Sequence, residues 1–354
     1  VSGRFALALA GGVSLGAFQA GVWDALDEAG LRPDWLLGSS VGAVTAALLA
    51  GGPPDGAAAR LDRFWNEVAF EPLPAARFWL GEVPASGPLR RAASESAIAQ
   101  TLLLGRPGVF RPNPRATAEA PALYDLAPLR RLLAELVDFE ALNAPGAPRV
   151  TVMASDLLAG EAVAFDTGRG DRIGMEEVIA SCSLPPLFPP TALRGRLLAD
   201  GGLTANLPLE AALAEPGAEE VLCVAVELFA RQGSAPASLS AAAARAADVV
   251  FGSRTRQALA AEARAHALRQ ALRAARPDHA LAAGPGRVTV LLLGERVDAD
   301  DAGVLKPFDF SRATLAARRA AGAAAARAAL AKPRAGEGGF VLHEADAPVG
   351  LAAA

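Results

Sequence analysis

Several common chemistries have little to work with in this chain. Cys182 and Cys223 are its two cysteines in 354 residues. They are too few and too far apart for a disulfide framework or a zinc cluster, and read as buried free thiols in a reducing, cytoplasmic compartment. Histidine occurs three times, at His266, His279 and His343, all late in the chain, and no metal or other cofactor is expected. Lysine is nearly missing, with Lys306 and Lys332 alone; the Arg, Ala, Gly and Pro bias looks like GC-rich coding. A formal net charge of −4 gives no reason to expect nucleic acid as a partner. No apolar run approaches the roughly 18–20 residues that span a membrane, so transient contact at a membrane surface is the most that is expected. The chain begins at Val1, which leaves room for an upstream segment and an export signal within it.

What remains is a folded globular composition, 52% hydrophobic and 20% charged. The apolar run Phe5–Ala10 superficially resembles a signal peptide, but it is short, has Arg4 as its only basic residue and runs straight into Gly11-Gly12. It reads as a strand buried on both faces, Arg4–Ala10. A helix follows with Phe18, Val22, Leu26 and Ala29 at helical spacing, then a strand over Leu31–Leu37 and a helix over Val41–Ala50. Strand and helix alternating within fifty residues predict an α/β fold: a mainly parallel central sheet with helices on both faces. Further strands are expected at Arg149–Ser155, Glu161–Thr167, Arg196–Ala199, Glu220–Val226 and Arg287–Leu293. Helices are expected at Leu61–Val68, Leu126–Leu136, Leu239–Ala275 and Ser311–Leu330. Residues 52–121 form a Pro-rich insertion in which the prolines from Pro72 to Pro114 are expected to break any long element after Leu61–Val68; with Trp65, Trp79 and several phenylalanines it reads as a packed satellite core, with a lid or acyl pocket as the alternative. Residues 1–330 read as one domain, its motif-bearing core at about 5–210 and a helical extension at 211–330. The Gly- and Ala-rich stretch 331–354 reads as a loose tail.

Gly38-Ser39-Ser40-Val41-Gly42 has the pattern of a nucleophile elbow, a strained strand-to-helix turn that exposes a serine hydroxyl. Glycine is needed where flanking backbone segments come too close for a Cβ. Ser40 also sits at a helix N-terminus, where the macrodipole favours developing negative charge. The bland alternative is a loop with Gly42 as a packing residue. Acyl transfer needs an activated hydroxyl, donors for the oxyanion and a base. Gly11 and Gly12, at the end of the neighbouring strand, can supply backbone N–H donors. A dinucleotide site fits that loop badly: the spacing is Gly12-x-x-x-Gly16, no acidic residue ends the second strand, and there is no Walker lysine. For the base, His279 or His343 would satisfy the chain order of a hydrolase triad, but Ser40 follows only the second strand. Asp200 ends a strand at what would be the ligand-binding edge of a parallel sheet, and Gly201-Gly202 leave room for another backbone. A carboxylate must be raised by burial to serve as a base at neutral pH.

The triple pattern of Gly11–Gly16, Gly38–Gly42 and Asp200–Gly202 resembles the motifs of patatin-like phospholipases. So do Ala17–Val22, Ala154-Ser155-Asp156 and Ala180–Pro190, and the likeness covers roughly Phe5–Leu209. It implies a fold related to the α/β hydrolases and a Ser–Asp dyad without histidine, with Ser40 as nucleophile, Asp200 as base and Gly11 and Gly12 as oxyanion donors. Gly16, Gly38, Gly42, Gly201 and Gly202 would support these motifs. Two positions depart from the pattern: Val13 stands where many members have a third glycine, and Leu15 where many have Arg or Lys. The second departure weakens any preference for an anionic headgroup. Phe308–Arg312 is similar to a C-terminal extension of some bacterial members. The expected function is hydrolysis of lipid acyl esters through an acyl-serine. The alternatives are transfer of the same acyl group to another acceptor, or a silent lipid-binding protein. The resemblance leaves the oligomeric state open.

Overall fold

The computed structural model describes residues 3–70, 87–114, 121–230, 232–233, 235–294 and 303–346. Its strands are β1 (Gly3–Leu9), β2 (Trp35–Ser39), β3 (Arg111–Pro112), β4 (Tyr124–Asp125), β5 (Arg149–Asp156), β6 (Glu161–Asp166), β7 (Thr191–Leu193), β8 (Arg196–Asp200), β9 (Glu220–Glu227), β10 (Arg287–Gly294) and β11 (Phe340–Asp346). β3 and β4 pair with each other; the other nine form one sheet, in the path β11-β10-β9-β1-β2-β5-β8-β7 with β6 also on β5. From β11 to β5 every pairing is parallel. β6 and β8 run antiparallel to β5, and β7 antiparallel to β8. The central strands are near-continuous apolar runs because neighbours cover both faces, and β2 and most of β9 and β10 are buried end to end.

The first helix, Ala17–Glu28, and the C-terminal helix, Arg312–Leu330, touch backbone to backbone. A Cβ on Gly21 would stand 1.8 Å from the Arg319 carbonyl oxygen, and one on Gly322 2.0 Å from that of Phe18. Arg319 reaches Asp24 at 2.6 Å and Arg327 reaches Glu28 at 2.8 Å along the same seam. The long helix Leu239–Ala275 begins at a serine cap, where Ser238 Oγ accepts the Ala241 N–H at 3.1 Å.

Three expectations need correction. Within the insertion, Pro88–Leu104 is a seventeen-residue helix; Pro88 opens it, because a proline in the first turn gives up an N–H that would have no partner anyway. The tail is not loose throughout: β11 pairs with β10 over Val288↔Phe340 to Gly294↔Asp346. Among its described residues the insertion also does not form a separate small core. Phe110 packs edge-on against Tyr124 (4.8 Å), Phe188 (5.5 Å) and Phe308 (6.3 Å), joining insertion, main body and C-terminal region. Trp79 lies outside the described residues.

Candidate active site

β1 and β2 pair with Leu9 opposite Gly38, so the turns that follow them lie side by side. After β2 the chain reverses at Ser40, whose φ of 54° and ψ of −124° are rarely adopted by a residue with a side chain. The helix Val41–Ala50 starts at once, with the Ala43 and Val44 N–H groups donating to Ser40 O at 2.9 and 3.1 Å. Close approach explains the glycines. A Cβ on Gly42 would lie 2.2 Å from Leu9 O, and one on Gly38 would lie 2.3 Å from Gly42 O. The Ser40 N–H is held by Ser181 Oγ at 2.9 Å.

Asp200 reaches Ser40 by a route that differs from the expected parallel edge. β5 has two flanks. β6 occupies one over Thr151–Asp156, so β2, paired over Arg149–Met153, and β8, paired over Ala154–Asp156, must share the other. They run towards each other and end tip to tip: Ser39 lies opposite Met153, and Asp200 opposite the next residue, Ala154. Ser40, turning away at that point, meets Asp200. The Asp200 backbone is fixed on both sides, its N–H donating to Ser183 O and its carbonyl accepting from Ser155 Oγ, each at 2.8 Å. Its side chain, 4% exposed, accepts the Gly202 N–H at 2.7 Å and lies beside the Ser40 side chain. Burial pushes its pKa up from 3.8 to about 6, against the lowering effects of the neighbouring Ser40 hydroxyl and the Gly202 N–H.

The glycine loop departs from expectation at Gly11. Its N–H is already engaged by Asn206, at 3.1 Å to Oδ1 and 3.3 Å to the backbone oxygen. Gln19 Nε2 donates to Ala10 O at 2.7 Å, and Thr45 Oγ1 donates to Gln19 Oε1 at 2.8 Å; together they fix the Ala10–Gly11 peptide. Neither the Gly12 nor the Val13 N–H has a partner among the hydrogen bonds of the described residues. Two adjacent free amides beside Ser40 can receive an oxyanion. Asn206 and Gln19 carried no signal in the sequence, since each acts through a contact that exists only once the chain is folded.

A cavity of about 40 Å³ opens beside Ser40. Its wall is almost wholly apolar and includes Val44, Phe64, Trp65, Phe188 and Phe310, so the insertion contributes pocket wall as well as core. Cys182 also lines it. Burial holds that thiol well above its ordinary pKa, helped by the neighbouring Asp200 charge, which keeps it protonated and unreactive. The histidines lie elsewhere. His266 contacts Gly338 O at 3.1 Å and the Phe340 ring, and His343 is on β11 itself, four strands from β2 and so roughly 19 Å across the sheet. The His279 ring caps the short turn beginning at Ala280. Among the described residues no three or more His, Cys, Asp or Glu side chains gather as a metal site. No helix among them is long and apolar enough to cross a membrane.

The Patatin-like phospholipase family model matches residues 7–213, a span that contains the glycine loop, the elbow and Asp200. Uncharacterized NTE family proteins of Mycobacterium bovis and Mycobacterium tuberculosis are 30% identical over 210 residues, 59% of this chain and 45% of theirs. The chain therefore spans about half the length of the curated relatives it matches. The crystal structure of VipD from Legionella pneumophila is similar over 92% of this chain and 66% of that one, at 16% identity and a TM-score of 0.40.

Proposed function

Because the chain belongs to the patatin-like phospholipase family, we propose that it is a lipid acyl hydrolase in which Ser40 and Asp200 form a catalytic dyad. Ser40 Oγ attacks the acyl carbonyl carbon while its proton passes to the Asp200 carboxylate. The carbonyl electron pair moves to oxygen, and the oxyanion is received by the Gly12 and Val13 N–H groups at the N-terminal end of the elbow helix. Collapse breaks the ester C–O bond, and Asp200 returns the proton to the leaving alcohol. A water molecule, deprotonated by Asp200, then attacks the acyl-Ser40 ester, and Asp200 returns that proton to Ser40 Oγ as the Oγ–acyl bond breaks and the fatty acid leaves. The observation that carries this reading is the Asp200 carboxyl buried beside Ser40 where β2 and β8 end tip to tip, a burial that raises its pKa to about 6. A base near the working pH balances ionisation against proton affinity better than one at 3.8. The apolar cavity beside Ser40 supports an acyl chain as the group bound there.

Labelling with a fluorophosphonate probe, read by peptide mass, tests the reading together with hydrolysis of p-nitrophenyl esters. One adduct on Ser40 is expected, with both adduct and hydrolysis lost in Ser40→Ala. An unlabelled wild-type protein, or activity abolished by His279→Ala or His343→Ala but kept in Asp200→Asn, refutes it.

A further inference from the structure

The family match ends at residue 213, yet the chain beyond it reaches the glycine loop. Ser14, fully buried, follows Val13 by one residue, and Arg318 Nη1 of the C-terminal helix donates to its Oγ at 2.8 Å. The same guanidinium, 5% exposed, donates to Lys306 O at 2.9 Å and Asp309 O at 3.2 Å. Lys306 is in turn anchored on Asp248 of the long helix at 2.8 Å. One planar group thus joins the glycine loop, the turn Gly303–Phe308 and the start of the C-terminal helix. The two free amides lie between fixed points, Gly11 on Asn206 and Ser14 on Arg318. Between them Val13 holds a φ of 52°, a conformation that costs a residue with a side chain free energy and persists where its surroundings impose it.

We propose that Arg318 is a positioning residue for the oxyanion loop, acting through Ser14, so that the C-terminal region is part of the catalytic apparatus. The inference rests on the hydrolase reading above. Without the clamp Val13 relaxes towards negative φ, its amide turns from the oxyanion position, and the substrate cavity is left intact. The loss therefore falls on the chemical step rather than on ester binding.

The test measures fluorophosphonate labelling rate, kcat and KM in Ser14→Ala, Arg318→Met, the double variant and Arg318→Lys, each normalised to folded protein by circular dichroism and gel filtration. Each single variant is expected to be labelled at least tenfold more slowly, with kcat lowered alike and KM within twofold, as for loss of a charge-assisted hydrogen bond. The double variant is expected to match the slower single variant within about twofold, because the two side chains act as one unit. Arg318→Lys keeps the charge but not the fork, and should recover part of the rate. Arg327→Met, on the same helix but paired at the surface with Glu28, should behave as wild type. A wild-type labelling rate in folded Ser14→Ala or Arg318→Met, or effects that multiply in the double variant, overturns the inference while leaving the dyad standing. An unlabelled wild-type protein defeats the dyad itself. Should Arg318→Met not fold, Ser14→Ala, which removes one oxygen atom, decides alone.

Discussion

Replacing Asp200 by asparagine should weaken the enzyme and strengthen the fold, with a pH dependence that can be worked out in advance. Raising the carboxyl from 3.8 to about 6 means that the folded protein disfavours the ionised form by about 3 kcal/mol, at 1.36 kcal/mol per tenfold. Below about pH 4 the group is protonated in folded and unfolded chains alike, and the term vanishes. Between pH 4 and 6 the unfolded chain has released the proton while the folded one keeps it, so stability falls as pH rises; above pH 6 the full term stands. Asparagine is neutral throughout, and its amide oxygen can still accept the Gly202 N–H. Urea denaturation of wild type and Asp200→Asn at pH 4.5, 6 and 8 should show the variant more stable by up to about 3 kcal/mol at pH 8, with the gap closing towards the acid end. Turnover at pH 8 should meanwhile fall at least ~100-fold, as when a positioned base is removed. A stability gap that is zero or negative at pH 8, or that does not change with pH, would refute the claim that burial dominates at Asp200.

Three further outcomes follow from the same geometry. The acid limb of kcat/KM for a neutral ester should lie near pH 6, with activity lost as pH falls through it and Asp200 becomes protonated; a limb near pH 4 would mean the carboxylate is solvated. Gly42→Ala drives a Cβ into the Leu9 carbonyl, 2.2 Å away, and should cost about 2–4 kcal/mol in denaturant melts, whereas a loss under 0.5 kcal/mol would deny that close approach. Val44→Phe places a ring on the cavity wall beside Ser40. It should lower kcat/KM for p-nitrophenyl decanoate several-fold more than for the butyrate, and an unchanged ratio would remove this cavity as the acyl site.

Local chemistry made part of this molecule readable from its residues. The elbow and the helix Leu239–Ala275 depend on a turn, a serine cap and short-range periodicity, all contained in consecutive positions. Asp200 was legible as a strand-ending carboxylate, but not the direction of its strand, because β8 takes its orientation from the flank of β5 that β2 leaves uncovered. Prolines misled over the insertion, where Pro88 starts a helix rather than stopping one. Glycine and alanine around Phe340-Val341-Leu342 hid β11, whose stability comes from pairing with β10. Asn206, Gln19, Ser181 and Arg318 act on the site through contacts with residues 195, 9, 141 and 304 positions away. Of these, Gln19 shows that even a near neighbour in the chain can go unread when its partner is a backbone carbonyl.

The shared flank of β5 acts as a ruler for the chemistry. Five consecutive rungs, Arg149–Met153, locate the end of β2, and the next three, Ala154–Asp156, locate the end of β8. The segments entering and leaving β5 can lengthen at modest entropic expense, since loop closure depends only weakly on length. One residue added between Met153 and Ala154 cannot be absorbed so cheaply: it would part the serine and the carboxylate by about 3.3 Å and turn the following side chains to the opposite face. Divergence among such chains should therefore accumulate in loops and insertions, while the length of this one strand stays constant.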